Sequence, residues 1–96
     1  MTPEGEIKRE VRKVLNALEP PCWQYWPVPM GMGVATVDVL ICWRGIFYAV
    51  EVKRETGGRL TKRQEDTLND IATAGGGVCV ESSPGCETLK QMLGLI

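Results

Sequence analysis

Between Pro3 and Leu18 the apolar side chains fall at Ile7, Val11, Val14, Leu15 and Leu18. Steps of three and four predict an amphipathic helix with one buried stripe. Pro20-Pro21 stops it, because proline lacks the amide proton of the helical ladder and pushes its predecessor out of the helical region. Beyond the prolines the pattern is that of strands. Cys22 to Val28 is a short aromatic-rich segment ended by Pro27 and Pro29. After the link Met30-Gly31-Met32-Gly33, Thr36 to Trp43 is a β-branched run broken by Asp38, and Ile46 to Lys53 is another that ends in charge. Arg44-Gly45 is the turn between them. Thr61-Lys62-Arg63-Gln64 matches a capping box and opens a second helix, which runs to about Ala74 and ends at Gly75-Gly76-Gly77. Val78-Cys79-Val80 is a short buried strand, and Pro84-Gly85 turns the chain into a last helix from about Glu87 to Leu93. The order is α-β-β-β-α-β-α. The helix between the third and fourth strands is long enough for a parallel crossover, so the expected class is α/β, a mixed central β-sheet flanked by helices.

With 96 residues, 44% hydrophobic and 24% charged, the chain reads as one ordinary globular domain over residues 1–96, and disorder is excluded. The sequence holds no apolar run of membrane-spanning length and no signal-peptide pattern at Met1-Thr2-Pro3-Glu4, so no membrane association and a cytoplasmic location are expected. Histidine is absent, which removes Cys/His zinc sites and every mechanism built on an imidazole base. Chemistry must then use carboxylates, lysine, thiols, hydroxyls or a metal held by oxygen. Cys22, Cys42, Cys79 and Cys86 form no CxxC pair and read as reduced core thiols, which disfavours a redox protein. The net charge of −1 divides unevenly: residues 1–63 sum to +3 and residues 64–96 to −4, so the first part is suited to face a polyanion.

If Arg44-Gly45 is a two-residue hairpin loop, Trp43 faces Ile46 and Asp38 faces Glu51 across the ladder. One face then carries Val37, Val39, Ile41 and Trp43 against Ile46, Tyr48, Val50 and Val52. The other pairs Cys42 with Phe47 and Leu40 with Ala49 before ending in Asp38, Glu51, Thr36 and Lys53. Two carboxylates at cross-strand distance repel unless something positive lies between them. Lys53 helps, but a divalent cation neutralises better, and carboxylate oxygens are what magnesium and manganese prefer. The expectation is a Mg²⁺ or Mn²⁺ site at Asp38 and Glu51, completed by the carbonyl of Val52. The competing reading is a pair of solvated acids bonded to lysine.

Glu4 continues the apolar stripe of the first helix, whereas Glu6 and Glu10 fall on other faces. It either points into the site or complements the helix dipole. Gln64 either caps Thr61 or reaches into the site to hold a water or phosphate. Lys53, Arg54, Arg59, Lys62 and Arg63 lie within eleven residues that contain one acid, Glu55, around Gly57-Gly58, a composition suited to a phosphate backbone. Metal-binding carboxylates, a lysine and a basic loop together point to phosphodiester hydrolysis.

Asp38 followed by Glu51-Val52-Lys53 resembles the PD-(D/E)xK nuclease signature. Gly57-Gly58-Arg59-Leu60-Thr61-Lys62-Arg63-Gln64 resembles the downstream stretch of the virus-type replication-repair nuclease (VRR-NUC) family within that superfamily. Val37 stands where the family usually has proline. The resemblance spans roughly residues 4–83 and implies a restriction-endonuclease-like core that cleaves DNA with Mg²⁺ or Mn²⁺. It assigns metal binding to Asp38 and Glu51, catalysis to Lys53, and site roles to Glu4 and Gln64. Small stand-alone members resemble phage proteins that act as homodimers on four-way junctions, while the larger Fanconi-associated nuclease acts as a monomer on flaps. A homodimeric junction resolvase is therefore the expectation, since two-fold symmetry suits that substrate. Trp23, Trp26, Met30, Met32 and the apolar tail from Met92 to Ile96 supply candidate contact surface. The alternatives are a flap or nick nuclease of the same chemistry, and a catalytically silent nucleic-acid-binding module.

Overall fold

A computed structural model describes residues 1–28 and 37–96. The stripe of the first segment forms α1, Pro3–Asn16, with Ile7, Val11 and Leu15 buried. Thr2 caps its start by accepting from the Gly5 amide, and Pro3 occupies a first-turn position where a missing amide proton costs nothing. The helix stops at Asn16, ahead of the prolines, although Leu18 still packs in the core.

Four strands follow the expected order: β1, Trp23–Tyr25; β2, Val39–Trp43; β3, Ile46–Val52; and, after α2, Lys62–Thr73, strand β4, Gly77–Glu81. The chain closes with α3, Glu87–Met92. The sheet order is β1-β2-β3-β4, with β1/β2 and β2/β3 antiparallel and β3/β4 parallel. Parallel pairing of β3 with β4 is what the α2 crossover permits. The hairpin register is the expected one, Trp43 opposite Ile46 and Leu40 opposite Ala49. Arg44 and Gly45 have φ of 52° and 78°, the positive values of the tight turn whose twist matches paired strands. Arg44 accepts this conformation while its guanidinium lies over the Trp43 ring at 4.7 Å and donates to the Glu19 carbonyl at 3.1 Å.

On one face of the sheet, α1 and α3 contribute Ile7, Val11, Leu15, Leu89 and Leu93 against Val39, Ile41, Trp43, Tyr48, Val50 and Val52. On the other, Leu68 and Ile71 of α2 cover Ala49, Val78 and Val80. Two expectations about these faces fail. Ile46 was expected on the buried face and is 46% exposed, because it lies at the hairpin tip. Val37 was expected beside Val39 and instead joins the cluster under α2 with Ala49 and Leu68. The strict alternation of a strand ends at Asp38, so its predecessor crosses to the opposite face. Thr36, Met30 and Met32, to which the sequence reading gave a register position or a surface role, lie outside the described residues.

All four cysteines are free, but only Cys86 is a fully buried core thiol: Cys22 and Cys79 are half-buried, and Cys42 is exposed, because it lies beside Trp23 and Phe47 on a part of the sheet left uncovered. Burial pushes the Cys79 thiol up to about 12 and the Cys86 thiol to about 11, so both are held in the unreactive protonated form. No helix among the described residues is long and apolar enough to cross a membrane.

Candidate metal centre

The last cross-strand pair of the hairpin is Val39 with Val50, so Asp38 and Glu51 are not ladder partners. They meet by another route. In a two-residue hairpin the pair flanking the loop is hydrogen-bonded and so is every second pair after it, which aims the Val52 amide at the strand opposite. Where a continued ladder would supply a backbone carbonyl, the side chain of Asp38 takes this proton: Val52 N donates to Asp38 Oδ2 at 2.7 Å. A short acidic side chain competing with backbone pairing in this way also explains the bend that carries Val37 across the sheet.

Glu51 is 2% exposed, on the last turn of the pleat before β3 ends. Its Oε1 lies 3.7 Å from Lys53 Nζ, while its Oε2 is buried with no hydrogen-bond partner. Burial pushes the Glu51 carboxyl up to about 8, a side-chain hydrogen bond with Asp38 and then the charge of Asp38 add to the rise, and Lys53 and Lys8 oppose it, so without a cation the two acids share a proton. A buried, unpartnered carboxylate oxygen beside a second carboxylate is costly in a finished core, where polar atoms are almost always satisfied.

These residues fit a hard divalent ion. Magnesium is commonly held by one or two carboxylates with its remaining positions filled by water or substrate oxygens, and Asp38 and Glu51 supply such a pair. Among the described residues no group of three or more acidic, thiol or imidazole side chains is placed to hold a metal, so further ligands would be backbone oxygens and water. Val52 takes part through its amide, which holds Asp38 in place.

Lys53 is fixed from several sides. Its amide donates to the Glu81 carbonyl at 3.1 Å, extending the β3/β4 pairing by one residue, and its side chain is only 17% exposed. The loop beyond it turns back sharply: a Cβ at Gly58 would lie 2.5 Å from the Arg54 carbonyl and 3.1 Å from Lys53 Cβ. The second glycine of Gly57-Gly58 is therefore required by close backbone approach. Arg54, Arg59, Lys62 and Arg63 are exposed around this turn, with Lys62 paired to Asp66 at 2.9 Å.

The other expected residues are placed differently. Gln64 completes a reciprocal capping box: its Oε1 accepts from the Thr61 amide at 3.0 Å and its own amide donates to Thr61 Oγ1 at 3.1 Å. Its carboxamide oxygen thus serves the helix start. Glu4 is half-buried on α1, and Lys8, four residues on and on the same face, is the α1 side chain that reaches the acid pair, with Nζ 3.2 Å from Asp38 Oδ1. Sequence reasoning missed Lys8. The signal was its place beside Ile7 and one turn beyond Glu4, where a long cationic stem can lie along an apolar stripe and carry its charge past it.

A second buried acid, Glu81, was also missed. Its Oε2 accepts from the amides of Ser82 and Ser83 at 3.1 and 3.3 Å, and its Oε1 accepts from the Leu89 amide at 3.0 Å. It caps α3 from a distance, since the residue at the cap position, Cys86, makes no side-chain cap bond.

Compared with models of known families, with curated proteins and with solved structures, the chain has no significant match.

Proposed function

We propose that this chain is a Mg²⁺- or Mn²⁺-dependent DNA endonuclease of the VRR-NUC type on a restriction-endonuclease-like core, acting as a homodimer on branched DNA. One observation carries the reading: the buried, unpartnered Oε2 of Glu51 beside Asp38, with Lys53 3.7 Å from the other oxygen of the same carboxyl. Asp38 and Glu51 would hold the ion, which when bound supplies Lewis-acid polarisation of a phosphate and a water of lowered pKa. Lys53 presents its ammonium beside the carboxylates, where it stabilises the charge that develops on a phosphodiester and orients the attacking water. Its preorganisation comes from β3, the Glu81 carbonyl and Gly58. Arg54, Arg59, Lys62 and Arg63 form an exposed basic rim suited to the strand on either side of the scissile bond.

Association is favoured by apolar surface that the fold leaves uncovered. Trp23 and Tyr25 on the edge strand are 57% and 51% exposed with rings stacked at 6.2 Å, and Phe47, Leu95 and Ile96 are also exposed, whereas Trp26, Met92 and Leu93, expected on this surface, pack into or against the core instead.

The test is cleavage of an end-labelled four-way junction with Mg²⁺ or Mn²⁺, beside linear duplex and flap controls and a Lys53→Ala protein. Paired symmetric cuts that require metal and Lys53 are expected. Cutting confined to flaps overturns the junction assignment, and no cutting of any substrate with either ion leaves a binding module.

A further inference from the structure

The cation that the fold brings to Asp38 comes from the first helix, far in sequence from the basic loop. Lys8 Nζ lies 3.2 Å from Asp38 Oδ1, and Lys53 Nζ lies 3.7 Å from Glu51 Oε1, so each carboxylate has a lysine of its own. The two lysines differ in constraint. Lys53 is on the same strand as its partner and largely covered, at 17% exposure, whereas Lys8 reaches across from α1 with a side chain 38% exposed.

The oxygens of Asp38 also differ. Oδ2 accepts from the Val52 amide at 2.7 Å, and Oδ1 is the oxygen that Lys8 holds. An ion using this oxygen together with the unpartnered Oε2 of Glu51 meets the Lys8 ammonium at one of its two carboxylate ligands. The two cations compete at one carboxylate, and Lys8 has a flexible stem and solvent into which to withdraw.

We propose that Lys8 is the resident counter-ion of the metal-free centre and that a divalent cation displaces it from Asp38. Lys8 thereby sets how tightly the ion binds. Once displaced, it stands at the rim of the loaded centre as a second ammonium available to an entering phosphate. This inference rests on the nuclease reading for the purpose of the ion, but binding alone tests it.

Manganese titration by calorimetry at constant ionic strength compares wild type with Lys8→Met, Lys8→Arg and Asp38→Ala. Lys8→Met keeps the aliphatic stem, removes the competitor and is expected to bind Mn²⁺ about three- to five-fold more tightly, the range a half-exposed ion pair provides. Lys8→Arg retains the charge and stays near wild type, and Asp38→Ala loses the site. Displacement itself is read by amine acetylation and mass spectrometry of the wild-type protein. Saturating Mg²⁺ should speed labelling of Lys8 several-fold with Lys62 unchanged. Unaltered or weaker Mn²⁺ binding by Lys8→Met, or a Lys8 labelling rate indifferent to Mg²⁺, overturns the proposal. Tighter binding by Lys8→Met and metal-dependent Lys8 labelling in a protein that cuts no DNA would uphold Lys8 and remove the nuclease reading. Junction cutting with no gain on Lys8→Met would do the reverse.

Discussion

Glu51 and Glu81 lie near the same end of neighbouring strands, Glu51 one residue before the end of β3 and Glu81 at the end of β4, and both are buried, at 2% and 1% exposure, yet their surroundings are opposite. Glu81 is met by three backbone amides, from Ser82, Ser83 and Leu89, and with them it ties β4 to α3. Glu51 has one lysine at 3.7 Å, a second carboxylate beside it, and an oxygen with no partner. Burial alone does not separate a structural acid from a functional one. What differs between these two is satisfaction: both oxygens of Glu81 are met by amides, whereas a buried oxygen left unsatisfied is retained only at a cost in stability.

The largest expected effect breaks this comparison on the functional side. Asp38→Ala or Glu51→Ala should abolish calorimetric Mn²⁺ binding and lower any DNA cleavage by about 10²-fold or more. The corresponding Glu81→Ala protein, assayed where it is folded, should bind Mn²⁺ as wild type does. Equal loss of Mn²⁺ binding in all three would erase the distinction.

On the stability side the order reverses. Glu81→Ala strands three amides and should cost about 2–4 kcal/mol in denaturant unfolding, since the Leu89 amide loses its acceptor in a buried setting and those of Ser82 and Ser83 in a part-buried one. Glu51→Gln should stabilise the metal-free protein, because it removes a carboxylate that the site pushes towards neutrality. A cost for Glu51→Gln as large as that for Glu81→Ala would mean that both acids are structural.

The pH dependence sharpens the same contrast. The Glu51 carboxyl rises from an ordinary 4.5 to about 8, so the folded state prefers the protonated form. Its contribution to stability is full below about 4.5, is lost as pH climbs through 8, and is constant above. Metal-free wild type should therefore lose melting temperature relative to Glu51→Gln between pH 5 and 9. Divalent affinity should rise over the same window, with proton release on binding. A difference in melting temperature that does not vary with pH would contradict the assignment.

The smallest effect concerns Gln64. Thr61→Ala should cost about 1 kcal/mol through loss of the cap. If Gln64 acts only in the capping box, Gln64→Ala matches that loss and leaves turnover per folded molecule unchanged. A selective fall in turnover for Gln64→Ala would place its carboxamide in the reaction as well.

Much of the scaffold was legible from short-range pattern. The stripe Ile7-Val11-Leu15, the capping box at Thr61, the proline stop and the register set by Arg44-Gly45 each rest on interactions within a turn or a hairpin, so neighbouring residues suffice to specify them. The same register put Asp38 opposite Glu51, but the ladder ends at Val39 with Val50 and Asp38 takes the Val52 amide instead. What local pattern did not contain was contact between distant segments. The Val52 amide reaches Asp38 across 14 residues, Lys8 reaches Asp38 from another element, and Glu81 caps a helix that begins beyond a turn. The crossing of Val37 to the α2 face is part of the same local departure from the ladder. Such choices depend on which donors and acceptors remain unsatisfied after the strands and helices have packed. Packing brings those groups together in three dimensions, and no periodicity along the chain encodes it.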